Sequence, residues 1–355
     1  MIAPKRAIIV GGPLIAALLA YIVHSPNAMW GAIQWHRSLL GGIELQAAME
    51  EREKAIWAMH LDELPSNETI SPTHPLTITS ISDLHLFNPS KPAIFRNLSK
   101  DTVLASTNMM NDPEIKDIVV DYFADARLVT TVPDSIGPVG EVVRKITGGG
   151  PQKFGTQKIV ASAPFIIDRL VKANDWLPQV FPSYRLALWR GVGQRGTLLA
   201  YLANLIVTVP VFMATGQPNT GLKETTRTDL HCEPIANLVF QTEGSKVWTL
   251  VDPQHSKYLK PTLAPDGRAY FYSALDPLNK QSLDHVPRYE VKTQSGDIMY
   301  VPTFTWHRVE YLPDITAISV SLFEFNTYEF LFNNPLFAVT LIPNIVKELL
   351  GFKFT

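Results

Sequence analysis

The sequence is poor in the residues that staple a chain, hold zinc through sulfur, or carry strong charge. There is one cysteine in 355 residues, Cys232. No intrachain disulfide can form, and zinc sites built on several thiolates are excluded. A chain without disulfides leans toward a reducing compartment without requiring one. Charged residues make up 18% of the chain and nearly cancel, leaving a net charge of -2. No run of Lys and Arg supplies the basic face that nucleic acid needs, so nucleic acid is not an expected partner.

What the sequence has in quantity is apolar surface. Hydrophobic residues are 46% of the total, enough to bury a sizeable core and too many for a disordered chain. An uncharged apolar run spans residues 7–23, AIIVGGPLIAALLAYIV, directly after Lys5 and Arg6. Its length is near the minimum for crossing an apolar layer about 30 Å thick at about 1.5 Å per residue. Residues 1–24 are therefore expected to be a membrane anchor. The two basic residues would keep a short N-terminus on the cytosolic, matrix or stromal side. Such an anchor serves an endomembrane or an organellar inner membrane equally well. A cleaved signal peptide and a buried helix are the alternatives; residues 24–28 fit a cleavage site poorly.

Residues 25–75 read as a helical stalk over about 28–64, interrupted at Gly41 and Gly42, then a linker marked by Pro65, Pro72 and Pro75. From residue 76 the pattern is mixed. Residues 91–96 and 127–132 read as strands, 114–124 and 163–173 as helices, and the glycine-rich 147–155 as a plain loop. Closely spaced strands then dominate from 186 to 325, as expected of a β-barrel or jelly roll. An apolar insert, residues 198–214, is either core or a membrane-surface hairpin. A C-terminal apolar and helical extension follows at 327–355, with Pro335 and Pro343 as breaks in its apolar part, 330–352. The sequons Asn67-Glu68-Thr69 and Asn97-Leu98-Ser99 matter only if the body is lumenal.

The chemistry concentrates in three places. In Thr228-Asp229-Leu230-His231-Cys232-Glu233-Pro234, residues two apart on a strand share a face, so His231 and Glu233 can chelate one ion. Two imidazoles and one carboxylate on one face of an octahedron suit Fe(II), leaving positions for a cosubstrate and oxygen. Lys246 lies fifteen residues on (246 − 231), inside the apolar strand SKVWTL. A buried ammonium needs a partner, and the far carboxylate of a dicarboxylate cosubstrate would be one. In Gly296-Asp297-Ile298-Met299-Tyr300-Val301-Pro302-Thr303-Phe304-Thr305-Trp306-His307, a turn leads a strand into a loop that delivers His307 at the next strand.

Over roughly 76–326 these motifs resemble the JmjC and cupin-like hydroxylases of the Fe(II)/2-oxoglutarate oxygenases, with a likeness to asparaginyl hydroxylases. The resemblance implies a mainly β fold with flanking helices, a double-stranded β-helix or jelly roll, here added to an N-terminal membrane helix. It places iron on His231, Glu233 and His307, and 2-oxoglutarate on Lys246 with Thr228 and Asn237. The chain departs from the family in having Glu233 where Asp is commoner, Cys232 between the ligands, and Ser321 where an asparagine is often found. The function implied is a membrane-anchored hydroxylase of a protein or small molecule. The alternative is a non-catalytic accessory subunit of a membrane protein complex. Lipid is the expected partner of the anchor, and of 198–214 and 330–352 if they touch the membrane.

Overall fold

The computed structural model describes residues 25, 28, 30–35, 69–98, 106–123, 135–147, 158–160, 173–177, 206–208, 211–215, 227–264, 269–275, 280–312 and 315–349. The apolar run 7–23, the strand expected at 127–132, the glycine-rich loop and nearly all of the helix expected at 163–173 lie outside these residues.

The first half contributes β1 (Leu76–Ile78), β2 (Ala93–Phe95), helix α1 (Ser106–Asn111), β3 (Val119–Phe123), β4 (Ser135–Pro138), helix α2 (Val139–Thr147) and β5 (Lys158–Val160). Then come β6 (Ile206–Thr208), β7 (Val211–Thr215), β8 (His231–Cys232), β9 (Ala236–Glu243) and β10 (Ser245–Val251). The last stretch holds β11 (Pro261–Leu263), β12 (Phe271–Ser273), β13 (Tyr289–Gln294), β14 (Ile298–Val301), β15 (Trp306–Tyr311) and β16 (Thr316–Glu324). Helices α3 (Thr327–Phe332) and α4 (Pro335–Leu349) follow.

The strands form a seven-stranded sheet in the order β1-β2-β14-β9-β16-β6, with β7 also on β16, and a six-stranded sheet β11-β12-β8-β15-β10-β13. A third, three-stranded sheet has the order β4-β3-β5. Strand alternation explains how the two large sheets face each other. Val239, Met299, Val301 and Ala317 of the larger sheet pack in one cluster with Trp248, Leu250, Val309 and Tyr311 of the smaller. The intervening residues of the larger sheet, Leu238, Phe240, Val320 and Leu322, point outward onto Met109, Val139, Val142 and Val143 from α1 and α2 or their flanks. On the smaller sheet, Cys232 and Trp306 point outward into a second cluster with Phe271, Phe330 and Phe337. This is the jelly-roll arrangement, with α3 and α4 laid on the back of the smaller sheet.

Four expectations are changed or decided. Residues 114–124 are not one helix: turns closed by Ile115 and Ile118 N–H groups lead into β3. Consecutive turns and an amphipathic helix leave similar apolar spacing in sequence, and the β-branched and aromatic residues of VVDYF decide for the strand. The prolines at 72 and 75 do not mark a loose linker, since Thr73 exchanges backbone bonds with Arg288 and Glu290 at 2.9 Å along β13. The described part of the insert 198–214 is sheet: β7 pairs with β16 from Val211↔Val320 to Thr215↔Thr316, and Val211, Met213 and Ala214 are buried. Its continuous hydrophobicity is that of a strand covered on both faces. In the C-terminal extension Pro335 begins α4 instead of breaking it, where a missing N–H costs nothing, and Pro343 lies within that helix.

Candidate metal centre

The short strand β8 and the start of β15 are direct neighbours, with His231 opposite His307. Facing residues of antiparallel strands project to the same side. Both rings therefore enter the space between the sheets, with centroids 4.2 Å apart, while Cys232 and Trp306 take the other face. Glu233 follows β8 and returns to the same side. One ligand atom from each of His231, Glu233 and His307 lies within 4.8 Å of the others. Small side-chain rotations bring that spacing to the separation of roughly 3 Å that ligands bonded at about 2.1 Å keep around one cation. Among the described residues this is the one such cluster.

The imidazoles are set for metal. Nδ1 of His231 lies 2.7 Å from the Asp229 carbonyl oxygen, and Nδ1 of His307 lies 3.0 Å from that of Thr305. A carbonyl only accepts, so each Nδ1 carries the proton and each Nε2 presents a lone pair. Burial also drives the His307 pKa down to about 4, partly offset by the Thr305 carbonyl, so this ring is neutral at pH 7. Cys232 is fully buried, and burial followed by the nearby Glu233 charge holds its thiol well above the ordinary range. It stays protonated and turned away, and adds no ligand.

Lys246 is 2% exposed on β10. It faces Tyr311 across the sheet, and Leu250 faces His307, so four residues separate the two levels, about 13 Å of strand. Its ammonium crosses to the larger sheet, donating to the Ser319 hydroxyl on β16, and stands 4.9 Å from the centre of the Tyr311 ring. Asn237 and Ser321 also lie on the inner wall, paired in register with Val301 and Val239 of the inner cluster. Among the described residues neither Asn237 Oδ1 nor Ser321 Oγ has a hydrogen-bond partner, although both are buried. Leaving such atoms unpaired costs about 1–3 kcal/mol each, so this wall is suited to a polar ligand. Thr228 is more committed. Its N–H donates to Val309 O and its Oγ1 accepts from Val309 N, both at 2.9 Å, which leaves the hydroxyl proton and one lone pair for a ligand.

A family model described as a cupin-like domain matches residues 151–326. Residues 151–326 are a cupin-like domain. All three candidate ligands and Lys246 fall within it. Relatives matched over a shorter stretch are HSPB1-associated protein 1 from Rattus norvegicus and from Homo sapiens, each 33% identical over 87 residues, and from Mus musculus, 32% over 86. In each case the match covers 23% of this chain and 18% of the relative, under a fifth of its length.

Residues outside the motifs brace the cupin-like site. The loop between β14 and His307 is bound on one side to the first ligand strand, where Phe304 N–H donates to Glu233 O at 2.9 Å. On the other side α3 holds it: Thr303 Oγ1 donates to Glu329 Oε2 at 2.9 Å, and Asn333 Nδ2 donates to Thr303 O at 3.3 Å. Phe304 adopts φ 61°, rare for an aromatic residue, with its ring between Phe330 and Phe337 at 5.7 Å from each. Asn326 caps α3 by accepting from the Tyr328 and Glu329 N–H groups. An Asn-x-x-Glu signal opening an apolar helix was present in the sequence at 326–329, but its contact with residue 303 was not.

Proposed function

We propose that this chain is an Fe(II)- and 2-oxoglutarate-dependent dioxygenase that hydroxylates a protein or small-molecule substrate. The observation that carries the proposal is the convergence of His231, Glu233 and His307 on one side of β8 and β15, with the buried ammonium of Lys246 inside the same barrel. Two neutral nitrogens and one hard oxygen match the donor set of an oxygen-activating ferrous site. When bound, iron and 2-oxoglutarate supply the oxidation: the oxo-acid and O2 give succinate and CO2, and the second oxygen atom enters a C–H bond.

The chain's own part is to bind, orient and exclude. His231, Glu233 and His307 would hold the metal. Lys246 and Ser319 would seat the distal carboxylate, a charge-assisted contact in a water-poor interior. Asn237, Ser321 and the hydroxyl proton of Thr228 would complete the polar wall around the rest of the cosubstrate. The apolar inner cluster, with Trp248, Val309 and Tyr311, would keep bulk water from the reacting centre.

The test combines anaerobic Fe(II) titration with release of CO2 from 2-oxoglutarate. Wild type is expected to bind one iron and to decarboxylate; His231→Ala should lose both. Lys246→Ala should keep iron and lose turnover. A wild-type chain that binds no iron and decarboxylates no faster than the variants would sink the proposal and favour an accessory role in a membrane complex.

A further inference from the structure

From 327 to 346 the only charged residue is Glu329, and it is buried. The exposed residues of this stretch are Tyr328, Leu331, Phe332, Pro335, Val339, Ile342 and Val346, every one apolar or aromatic. Tyr328 and Phe332 are 70% and 62% exposed, and their rings lie tilted against each other with centroids 4.8 Å apart. On α4, Val339, Ile342 and Val346 follow helical spacing on one stripe, while Phe337, Ala338 and Leu341 take the buried side. A helix pair that is apolar on both its inner and outer faces leaves a contiguous patch that water solvates badly.

Where the rest of the chain joins this patch indicates what covers it. The helical segment 30–35 lies directly on α4. Trp30 meets Phe337 at 5.8 Å, and Trp35, itself part-exposed, donates its indole N–H to Val339 O at 3.2 Å. The uncharged run 7–23 ends seven residues before Trp30 (30 − 23). This apolar run therefore leads into the body beside the exposed apolar surface of α3 and α4.

We infer that the outer face of α3 and α4, with Trp35, docks on the surface of a lipid bilayer that residues 7–23 enter. Apolar side chains carrying aromatic residues at the rim suit the boundary between headgroups and acyl chains. Because residues 327–346 expose no charged side chain, this surface should take zwitterionic lipid and ignore salt. The inference is independent of the iron chemistry, although the same helices brace the loop that delivers His307.

The test uses the full chain, whose only natural cysteine, Cys232, is buried. Phe332→Cys, Val339→Cys and Ile342→Cys are each labelled with an environment-sensitive fluorophore, with exposed Ser90→Cys as reference. The proteins are mixed with phosphatidylcholine vesicles carrying a quencher on the acyl chains. Blue-shifted emission and loss of more than half the signal at the three helical positions, unchanged in high salt and absent at Ser90→Cys, is the expected result. Helical labels that respond no more than the Ser90→Cys label, while the chain still floats with the vesicles, overturn the inference. So does a response lost in high salt, which places the contact on charged groups elsewhere. A blue shift that grows with protein concentration without vesicles also overturns it, because a second copy then covers the face.

Discussion

Phe304 offers the most discriminating perturbation of the loop that delivers His307. Its ring is fully buried between Phe330 and Phe337, so truncation to Ala removes contacts of the kind that cost about 3–5 kcal/mol in a core. Its φ of 61° places the backbone in the left-handed region, where a Cβ costs roughly 1–2 kcal/mol. Phe304→Ala forfeits the ring and keeps that cost. Phe304→Gly forfeits the ring, regains about 1–2 kcal/mol from the relaxed backbone, and gives up about 0.5–1 kcal/mol to a freer unfolded chain. Ring loss dominates, so both variants should be destabilised, the Gly variant by about 2–4 kcal/mol. The order is the sharper outcome: Gly should match or exceed Ala by up to about 1 kcal/mol, the reverse of ordinary sites. Urea unfolding midpoints at constant m-value measure it. Fe(II) titration of the folded variants should show weakened binding, because the same residue's N–H ties the loop to Glu233 O. If the Ala variant is clearly the more stable, or if neither change reaches about 1 kcal/mol, the brace as described is wrong.

Other outcomes follow from the same geometry. Lys246→Met should raise the KM for 2-oxoglutarate by roughly thirtyfold or more, about 2 kcal/mol, while leaving the Fe(II) stoichiometry unchanged; steady-state kinetics and metal analysis separate the two. Cys232→Ala should retain iron and lose about 1 kcal/mol of stability through the missing sulfur in the Phe271 and Phe337 cluster, read from denaturation with parallel metal titration. Glu329 is held above its ordinary pKa by burial, partly offset by the Thr303 hydroxyl and backbone. The folded chain therefore takes up that proton at higher pH than the unfolded chain. Its ionised form costs stability above the folded pKa, and the cost disappears as pH falls toward the ordinary carboxylate value. Glu329→Gln should accordingly flatten the stability profile across that window without loss at pH 7, as melting curves from pH 4 to pH 8 would register.

Period two and a handful of chemically demanding residues were enough to pick out the three side chains that the fold brings together as a candidate metal centre. His231 and Glu233 share a strand face because side chains alternate, Cys232 is turned away for the same reason, and Gly296-Asp297 announces the turn before β14. At that turn Gly296 has φ 89°. Each of these follows from residues near one another in the chain. A continuous apolar run is different, because burial on two faces of a sheet and burial in lipid leave the same trace in sequence. Only pairing with β16 assigns residues 211–215 to the sheet, and only packing against the smaller sheet splits α4 into a buried side and a bare one. The same limit applies to the contacts of single side chains. Lys246 needed a partner on any reading, but Ser319 lies 73 residues away, and Glu329 meets Thr303 across 26. Such contacts depend on how separate strands and helices stack. The donor set was therefore determined by the sequence itself, while the wall that faces it and the helices that brace it were decided by the tertiary structure.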